Sequence, residues 1–375
     1  MNSINKIIII GTNHHNTLSM VRCFGEEERK VSLYIYGDDN SYIALSKYVE
    51  EVSYFKTAEE AIDQLVKRVD SKITPLIIAC SDEASSMIDQ FYDQLNKNYH
   101  FFNAGCAGRI THYMNKQLQM KVAADCGFDV PNTLESLPND IQIDSINYPC
   151  IVKPSASIYG GKNISVCYTK ESLDLALKSY PAQFNVLVQD FIIREYEIVI
   201  LGVSYNQNII IPGYIHKHRD DRGGTTFCTV KPASSLPHEL VESCKKLITT
   251  IGYNGLWGIE CIKSEQGYCF LELNLRNDAT TYAMKVAGVN LPLIYLQLEE
   301  SSFDSQSQPF VRSIQSIVEF NDFNFVLKGK VGFLEWIRQY RSSECKYFYS
   351  KKDPKPYKKR KRQYLQFLLK RLFKL

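Results

Sequence analysis

The sequence has no Cys-x-x-Cys pair, no G-x-G-x-x-G, no G-x-x-x-x-G-K-[ST], and no apolar run long enough to cross a membrane. Each absence removes a class of protein. Without cysteines at ligand spacing, a structural zinc site has no donors. The eleven cysteines are odd in number, and Cys80, Cys126, Cys261 and Cys269 sit inside apolar segments. That pattern points to reduced core thiols in a cytosolic protein rather than a disulfide framework. The first strand-like run, Ile7–Ile10, stops at Gly11, so it is too short for the core of a secretory signal. It leads into GTNHHNT (residues 11–17), which lacks the glycine spacing of a dinucleotide site. His14 and His15 are adjacent, point different ways and lack ligand spacing, so they read as loop polar residues. There is no repeat of fixed period and no long low-complexity tract.

What remains is a chain of 375 residues with 45% apolar content, enough for two or three domains. Strand-like and helix-like segments alternate, which argues for an α/β or α+β protein. NKIIIIG, residues 32–37 and residues 76–80 read as strands with a parallel-sheet character, and residues 58–69 as a helix between them. A helix follows at about 114–126 and closes at Gly127. Strands are expected at 150–154, 164–168, 185–192, 195–204 and 208–218, with a loop at 220–226. Residues 257–276 read as a hairpin around Gly267. The net charge of +3 hides an asymmetry: residues 351–375 carry +10 and the preceding 350 residues carry −7.

In the hairpin, Glu260 lies on the first strand and Glu272 and Asn274 on the second. Alternation sets Glu272, Asn274 and Arg276 on one face. Two carboxylates and an amide oxygen on paired strands make a hard-oxygen set suited to Mg²⁺ shared with phosphates. The plain alternative is the solvated face of an antiparallel hairpin. Arg276 weighs against it, because a guanidinium beside such a set suits an anionic substrate. Lys153 ends an apolar strand and opens the loop SASIYGGKN, whose glycines allow the backbone close to a phosphate. A hairpin turn is the other reading of GGKN. Lys116, at a helix start, is either a surface residue or a cation meant for an anion.

The order of these features carries more than any one of them. Lys116 precedes Pro131; then come IVKP with its glycine loop, VLVQDFI with EYEI, WGIECIK, LELNLR, and a helix ending AGVNLP. Over residues 100–300 this order resembles the ATP-grasp superfamily, particularly its carbamoyl phosphate synthetase-like and biotin carboxylase-like members. The resemblance implies an N-terminal Rossmann-like pre-ATP-grasp domain (1–113), a small lid subdomain (114–202), a large subdomain (203–320) and a C-terminal extension (321–375). It implies that Lys116 and Lys153 contact ATP phosphates, and that the loop from Ser155 through Tyr159, Gly160, Gly161 and Lys162 covers them. Gln189, Asp190, Phe191 and Ile192 would form the hinge whose backbone meets adenine. Glu195 or Glu197 would hold the ribose; both are expected on one strand face, so the choice stays open. Glu260, Glu272 and Asn274 would bind Mg²⁺, or Mn²⁺ in its place, and Arg276 would sit by the transferred phosphate. Lys217 and Arg219 would bind an anionic acceptor or the transferring phosphate, unless KHRDDR is a solvated charge run.

The activity so implied is an ATP-dependent carboxylate–amine, or carboxylate–nucleophile, ligase working through an acyl phosphate. Its substrates would be small-molecule carboxylates and amines, or a cell-surface precursor. A kinase that stops at phosphorylation and a non-catalytic nucleotide-binding protein are the alternatives. A homodimer is among the assemblies left open. The tail, residues 354–375, reads as an amphipathic helix with a basic flank, with Tyr364, Leu365, Leu368, Leu372 and Leu375 at helical spacing. It would lie on an anionic membrane surface, placing a cytoplasmic protein at the inner face, or else dock on the body. Base-stacking aromatics and a known binding module are missing, so nucleic acid is not expected.

Overall fold

The computed structural model describes residues 4–68, 74–155, 164–221, 224–304 and 310–372. Its first sheet is wholly parallel. Strands β1 (Ile7–Gly11), β2 (Val31–Tyr36), β3 (Val49–Phe55), β4 (Leu76–Ala79) and β5 (His100–Phe101) stand in the order β3-β2-β1-β4-β5. The isoleucine run of β1 is buried on both faces. Ile7 and Ile9 join the core of helix His15–Gly25, while Ile8 and Ile10 join that of helices Ala58–Lys67 and Asp82–Gln90. Parallel strands covered on both sides need such continuous apolar runs. His15 is not a loop residue: it is buried in the first helix, 5.3 Å from the Tyr347 ring.

The second sheet holds β6 (Thr133–Ser136), β7 (Cys150–Pro154), β8 (Ser165–Cys167) and β9 (Val186–Asp190) in the antiparallel order β6-β9-β7-β8. Cys150, Val152, Cys167, Val186 and Val188 pack with Leu173 and Leu177 of helix Lys170–Lys178. Alternation therefore turns Ile151, Lys153, Val166, Leu187 and Gln189 to the other face.

The third sheet is the largest. β10 (Tyr196–Tyr205), β11 (Asn208–Asp221), β12 (Gly224–Pro232), β13 (Gly255–Ser264), β14 (Gly267–Asn274), β15 (Ile314–Ile317) and β16 (Cys345–Lys346) stand in the order β14-β13-β10-β11-β12-β15-β16. The Trp257 ring lies so close to Gly202 that a Cβ there would come within 2.1 Å of it. β10 runs unbroken across residues 202 and 203, where the sequence reading sets a subdomain boundary; the sheets change over at residues 191–195 instead. The loop expected at 220–226 is largely strand, with Asp220 opposite Thr225 and Asp221 opposite Gly224.

The C-terminal segment folds back onto the body. β16 rejoins the third sheet beside β15; helix Glu319–Leu327 packs on β11, β12 and helix Phe333–Ser342, and helix Pro354–Leu372 packs on the turn Ile43–Leu45. Its anchor is Arg22, fully buried in the first helix. The guanidinium donates to Tyr347 O (2.7 Å), Phe348 O (3.0 Å) and Asp353 Oδ2 (3.3 Å). Asp353 also accepts from Ser46 Oγ (2.9 Å) and Lys47 N (3.1 Å). Removing one member of a buried, hydrogen-bonded pair strands the other charge. Asp353→Ala is therefore expected to destabilise the fold by about 3–5 kcal/mol in urea unfolding. A loss below about 1 kcal/mol would contradict the anchoring role.

Candidate active site

The hairpin of β13 and β14 sets Glu260 directly opposite Glu272, and Gly258 opposite Asn274, with a bulge after Glu260. Asn274 donates to Glu260 Oε1 at 3.4 Å and accepts from Arg276 Nη2 at 3.0 Å. Leu273 and Leu275 are buried as alternation requires, while Leu271 is only half-buried. Two lysines from other elements face the carboxylates. Lys217 of β11 places Nζ 2.6 Å from Glu260 and 3.4 Å from Glu197. Lys116, the first residue of helix Lys116–Asp125, reaches Glu272 at 3.5 Å. That helix is clamped to β14 by Gln119, whose side chain donates to Leu273 O (2.8 Å) and accepts from Leu273 N (2.9 Å).

Arg276 fixes the back of the site. Its guanidinium is bidentate to Asp82, at 2.6 and 3.1 Å. Asp82 opens the helix that follows β4, so the third sheet meets the carboxyl end of the first. Open parallel sheets bind ligands at this end. Asn277 pairs with Asn16 at the matching position after β1. Asp278 accepts from Thr280 N at 2.7 Å, and Thr280 is the N-cap of helix Thr281–Val286.

The electrostatics follow from these contacts. Burial pushes the Glu260 carboxyl up, and Lys217 opposes that; Asp278 and Glu272 add to the rise. Burial works against the Lys217 ammonium, but Glu260 and Glu197 outweigh it and hold the group charged. Arg276 behaves likewise: burial is overcome by Asp82, Asp278 and Glu272. Lys153 is pulled down by burial and by Lys116.

These groups fit a divalent cation held together with phosphates. Among the described residues no three His, Cys, Asp or Glu side chains form a metal-holding group. The hairpin offers two carboxylates and an amide, and Mg²⁺ draws its remaining ligands from water and substrate phosphates.

Across the cleft, Lys153 donates to Gln189 Oε1 (2.9 Å), and Gln189 Nε2 donates to Thr133 Oγ1 (2.8 Å). Ser155 donates to Glu135. Tyr159, Gly160, Gly161 and Lys162 lie outside the described residues. Of the expected hinge segment, Gln189 sits within β9, between Thr133 and Ile151. Asp190 ends that strand and accepts from Asn132 Nδ2 (2.7 Å). Phe191 and Ile192 lie beyond it, with Phe191 N donating to Pro149 O (3.1 Å) and its ring 6.3 Å from Tyr168. Glu195 precedes β10, which begins at Tyr196, but its N–H donates to Lys263 O (2.9 Å) and so continues the pairing with β13. Glu195 is exposed; Glu197 is half-buried and held by Lys217 and Arg194. Both line a cavity of about 150 Å³ with Lys217.

Arg219 lines the same cavity, but its guanidinium is engaged away from the carboxylate cluster. A bulge at residue 218 pairs Lys217 with Cys228 but Arg219 with Phe227, so the two basic side chains leave opposite faces. Arg219 is bidentate to the fully buried Asp322 (2.9 and 2.8 Å), which also accepts from Trp336 Nε1 (3.0 Å). Sequence reasoning missed Asp82, Gln119 and Asp278. Only Asp82 left a signal, the helix start in SDEAS after a strand.

Residues 116–289 match the family model of the ATP-grasp domain. The carbamoyl phosphate synthase large chain of Clostridium botulinum (strain Alaska E43 / Type E3) is 28% identical over 165 residues, covering 42% of this chain and 15% of that protein. This chain thus spans a small part of that relative. The structure of N5-carboxyaminoimidazole synthetase from Staphylococcus aureus complexed with ADP matches with a TM-score of 0.67 at 14% identity, covering 88% of this chain and 86% of that one. The L-amino acid ligase of Bacillus licheniformis matches with a TM-score of 0.63 at 15% identity, covering 84% and 80%. These structural likenesses define the fold.

Arg219→Gln is expected to cost about 3 kcal/mol of stability while leaving Mg²⁺·ATP affinity within about twofold. Nucleotide titration and urea unfolding read the two effects. A tenfold weaker nucleotide affinity with unchanged stability would place Arg219 in the site.

Proposed function

We propose that the protein is an ATP- and Mg²⁺-dependent carboxylate–amine ligase, or one using a related nucleophile, that works through an acyl phosphate. The observation that carries this is Glu260 facing Glu272 beside Asn274, with Lys116, Lys153, Lys217 and Arg276 converging on them. Glu260, Glu272 and Asn274 would hold Mg²⁺, with Mn²⁺ able to take the same ligands. The ion would supply charge neutralisation and in-line orientation of the phosphates.

Lys116 and Lys153 bind phosphate oxygens from the two sides of the cleft, with Ser155 following Lys153 at the end of β7. The base lies against Phe191 and Ile192, just beyond Asp190. Glu195 takes the ribose hydroxyls: its carboxylate is exposed, whereas Glu197 is engaged by two cations. Lys217 and Arg276 stabilise charge on the transferred phosphoryl group and the carboxylate that receives it. Attack by the amine then releases phosphate. Closure over the site protects the acyl phosphate from water. The L-amino acid ligase among the structural neighbours joins this chemistry to the fold. The acidic body acts in the cytoplasm, as a monomer or a homodimer, and the basic tail meets an anionic membrane surface.

The test is ADP release from Mg²⁺·ATP over a panel of amino acids and small carboxylates, singly and in pairs. ADP formed only with one acid–amine pair supports ligation. A stable phosphorylated product from one acceptor would instead identify a kinase. Glu272→Gln is expected to abolish turnover with little change in unfolding midpoint. An active Glu272→Gln enzyme with unchanged Mg²⁺ dependence would remove the metal assignment.

A further inference from the structure

The helix Pro354–Leu372 has two faces of different chemistry. Its inner face is committed to the protein. Tyr357 and Tyr364 lie 5.7 and 5.1 Å from the Phe320 ring, and Tyr364 donates to Asn324 Oδ1 at 3.1 Å. Lys359 donates to Asn40 Oδ1 (2.6 Å) and Ser41 O (3.2 Å), and the Arg360 guanidinium lies over Tyr42. The tail is therefore an ordered part of the body, held at both domains it touches.

The outer face is left open. At 100° per residue, Lys358, Lys361, Arg362, Leu365 and Leu369 fall within an arc of about 100°. All five are exposed, and the two leucines are 49% and 52% exposed. The packed helix beside it ends in the same way. Leu327 is followed by Lys328 and Lys330, and then by Phe333 and Leu334, which are 56% and 82% exposed. Seven of the eighteen large apolar side chains exposed among the described residues lie beyond residue 320, in the most basic part of the chain.

That combination selects the partner. Protein interfaces deplete lysine from their cores. A second copy would also set one +10 tail near another if the tails met across a two-fold axis. Nucleic acid would use the bases and leave the leucines and Phe333 in water. An anionic bilayer uses both: headgroup charge takes the lysines and arginine, and the acyl boundary takes the apolar side chains. We propose that the outer face of this helix, together with the Phe333–Leu334 corner, docks on an anionic lipid surface while the inner face stays on the protein. The helix lies on the membrane and does not cross it, since no helix among the described residues is long and apolar enough to span one. This goes beyond charge in the tail: it assigns two separate segments and one face. It does not depend on the ligase reading.

The test is co-sedimentation of the full chain with vesicles of phosphatidylcholine alone and of phosphatidylcholine mixed with phosphatidylglycerol. Binding is expected only to the mixed vesicles, with release at high salt. Leu365→Ser with Leu369→Ser, and separately Lys358→Gln with Lys361→Gln and Arg362→Gln, should each weaken it about tenfold or more. Because these side chains are exposed, circular dichroism and the unfolding midpoint should not change. Absence of binding to the mixed vesicles would overturn the proposal, as would binding that survives the double serine change. So would a dimer in light scattering that the same substitutions dissolve, or binding to an oligonucleotide in place of vesicles.

Discussion

Two carboxylates set directly across a hairpin repel one another, and the site is built around that repulsion. Like charges opposite each other on neighbouring strands cost a few tenths to about 1 kcal/mol when exposed, and more when partly buried. Glu260 and Glu272 are so placed, with Asp278 acting on Glu260 as well. Lys217 is itself nearly buried, at 8% exposure, and is tolerable there only because it faces Glu260 and Glu197. Lys116 does the same for Glu272 from the helix side. The lattice is close to neutral without a ligand. Divalent ions would take over the carboxylates and leave the lysines to phosphate oxygens, so ligand entry exchanges partners without burying net charge.

That exchange needs a rigid back wall. It is supplied by bonds between the end of β14 and the helices after β1 and β4: Arg276 to Asp82, Asn277 to Asn16, and Ser85 Oγ to Leu275 O at 3.2 Å. One continuous core joins the first and third sheets, reaching from Ile9 and Leu18 to Trp257, Phe270 and Phe348. The Arg22–Asp353 pair ties the chain's end into the same block. A displacement at Asp82 would therefore be felt at Arg276 with little to absorb it.

The legible features were those that depend on strand period alone. Alternation in two neighbouring segments sufficed to place Glu260, Glu272 and Asn274 together, and Lys153 on the cleft side of its strand. What failed was anything requiring a third element or a broken register. Lys217 and Arg219 are two apart and should share a face; one extra residue in the ladder separates them, and no residue type in KHRDD announces a bulge. β3 escaped notice because an edge strand carrying Glu50, Glu51 and Ser53 has no apolar run. Arg22 and Asp353, 331 residues apart, carry no local mark of their pairing. The tail's helix and its two-sided character were visible in its spacing, but which side faces the protein depends on Phe320 and Asn324, far off in sequence.

The second sheet stands apart from the rigid block, and its composition says why. Its core is a separate cluster of eight buried apolar residues, and it joins the third sheet through residues 191–195. Small cores give low local stability, and the segments that move on ligand binding are drawn from that end of the scale. Among the described residues, eight of the eighteen exposed large apolar side chains fall between Leu134 and Ile193. Val166 lies on the same face as Lys153 and Gln189, opposite the covering helix. An apolar strip beside a lysine is costly to leave in water and well suited to a flat base followed by phosphates. Closure of this sheet over a nucleotide would bury the strip and bring Lys153 toward Lys116, two cations whose mutual repulsion an intervening polyanion would offset together with Glu272.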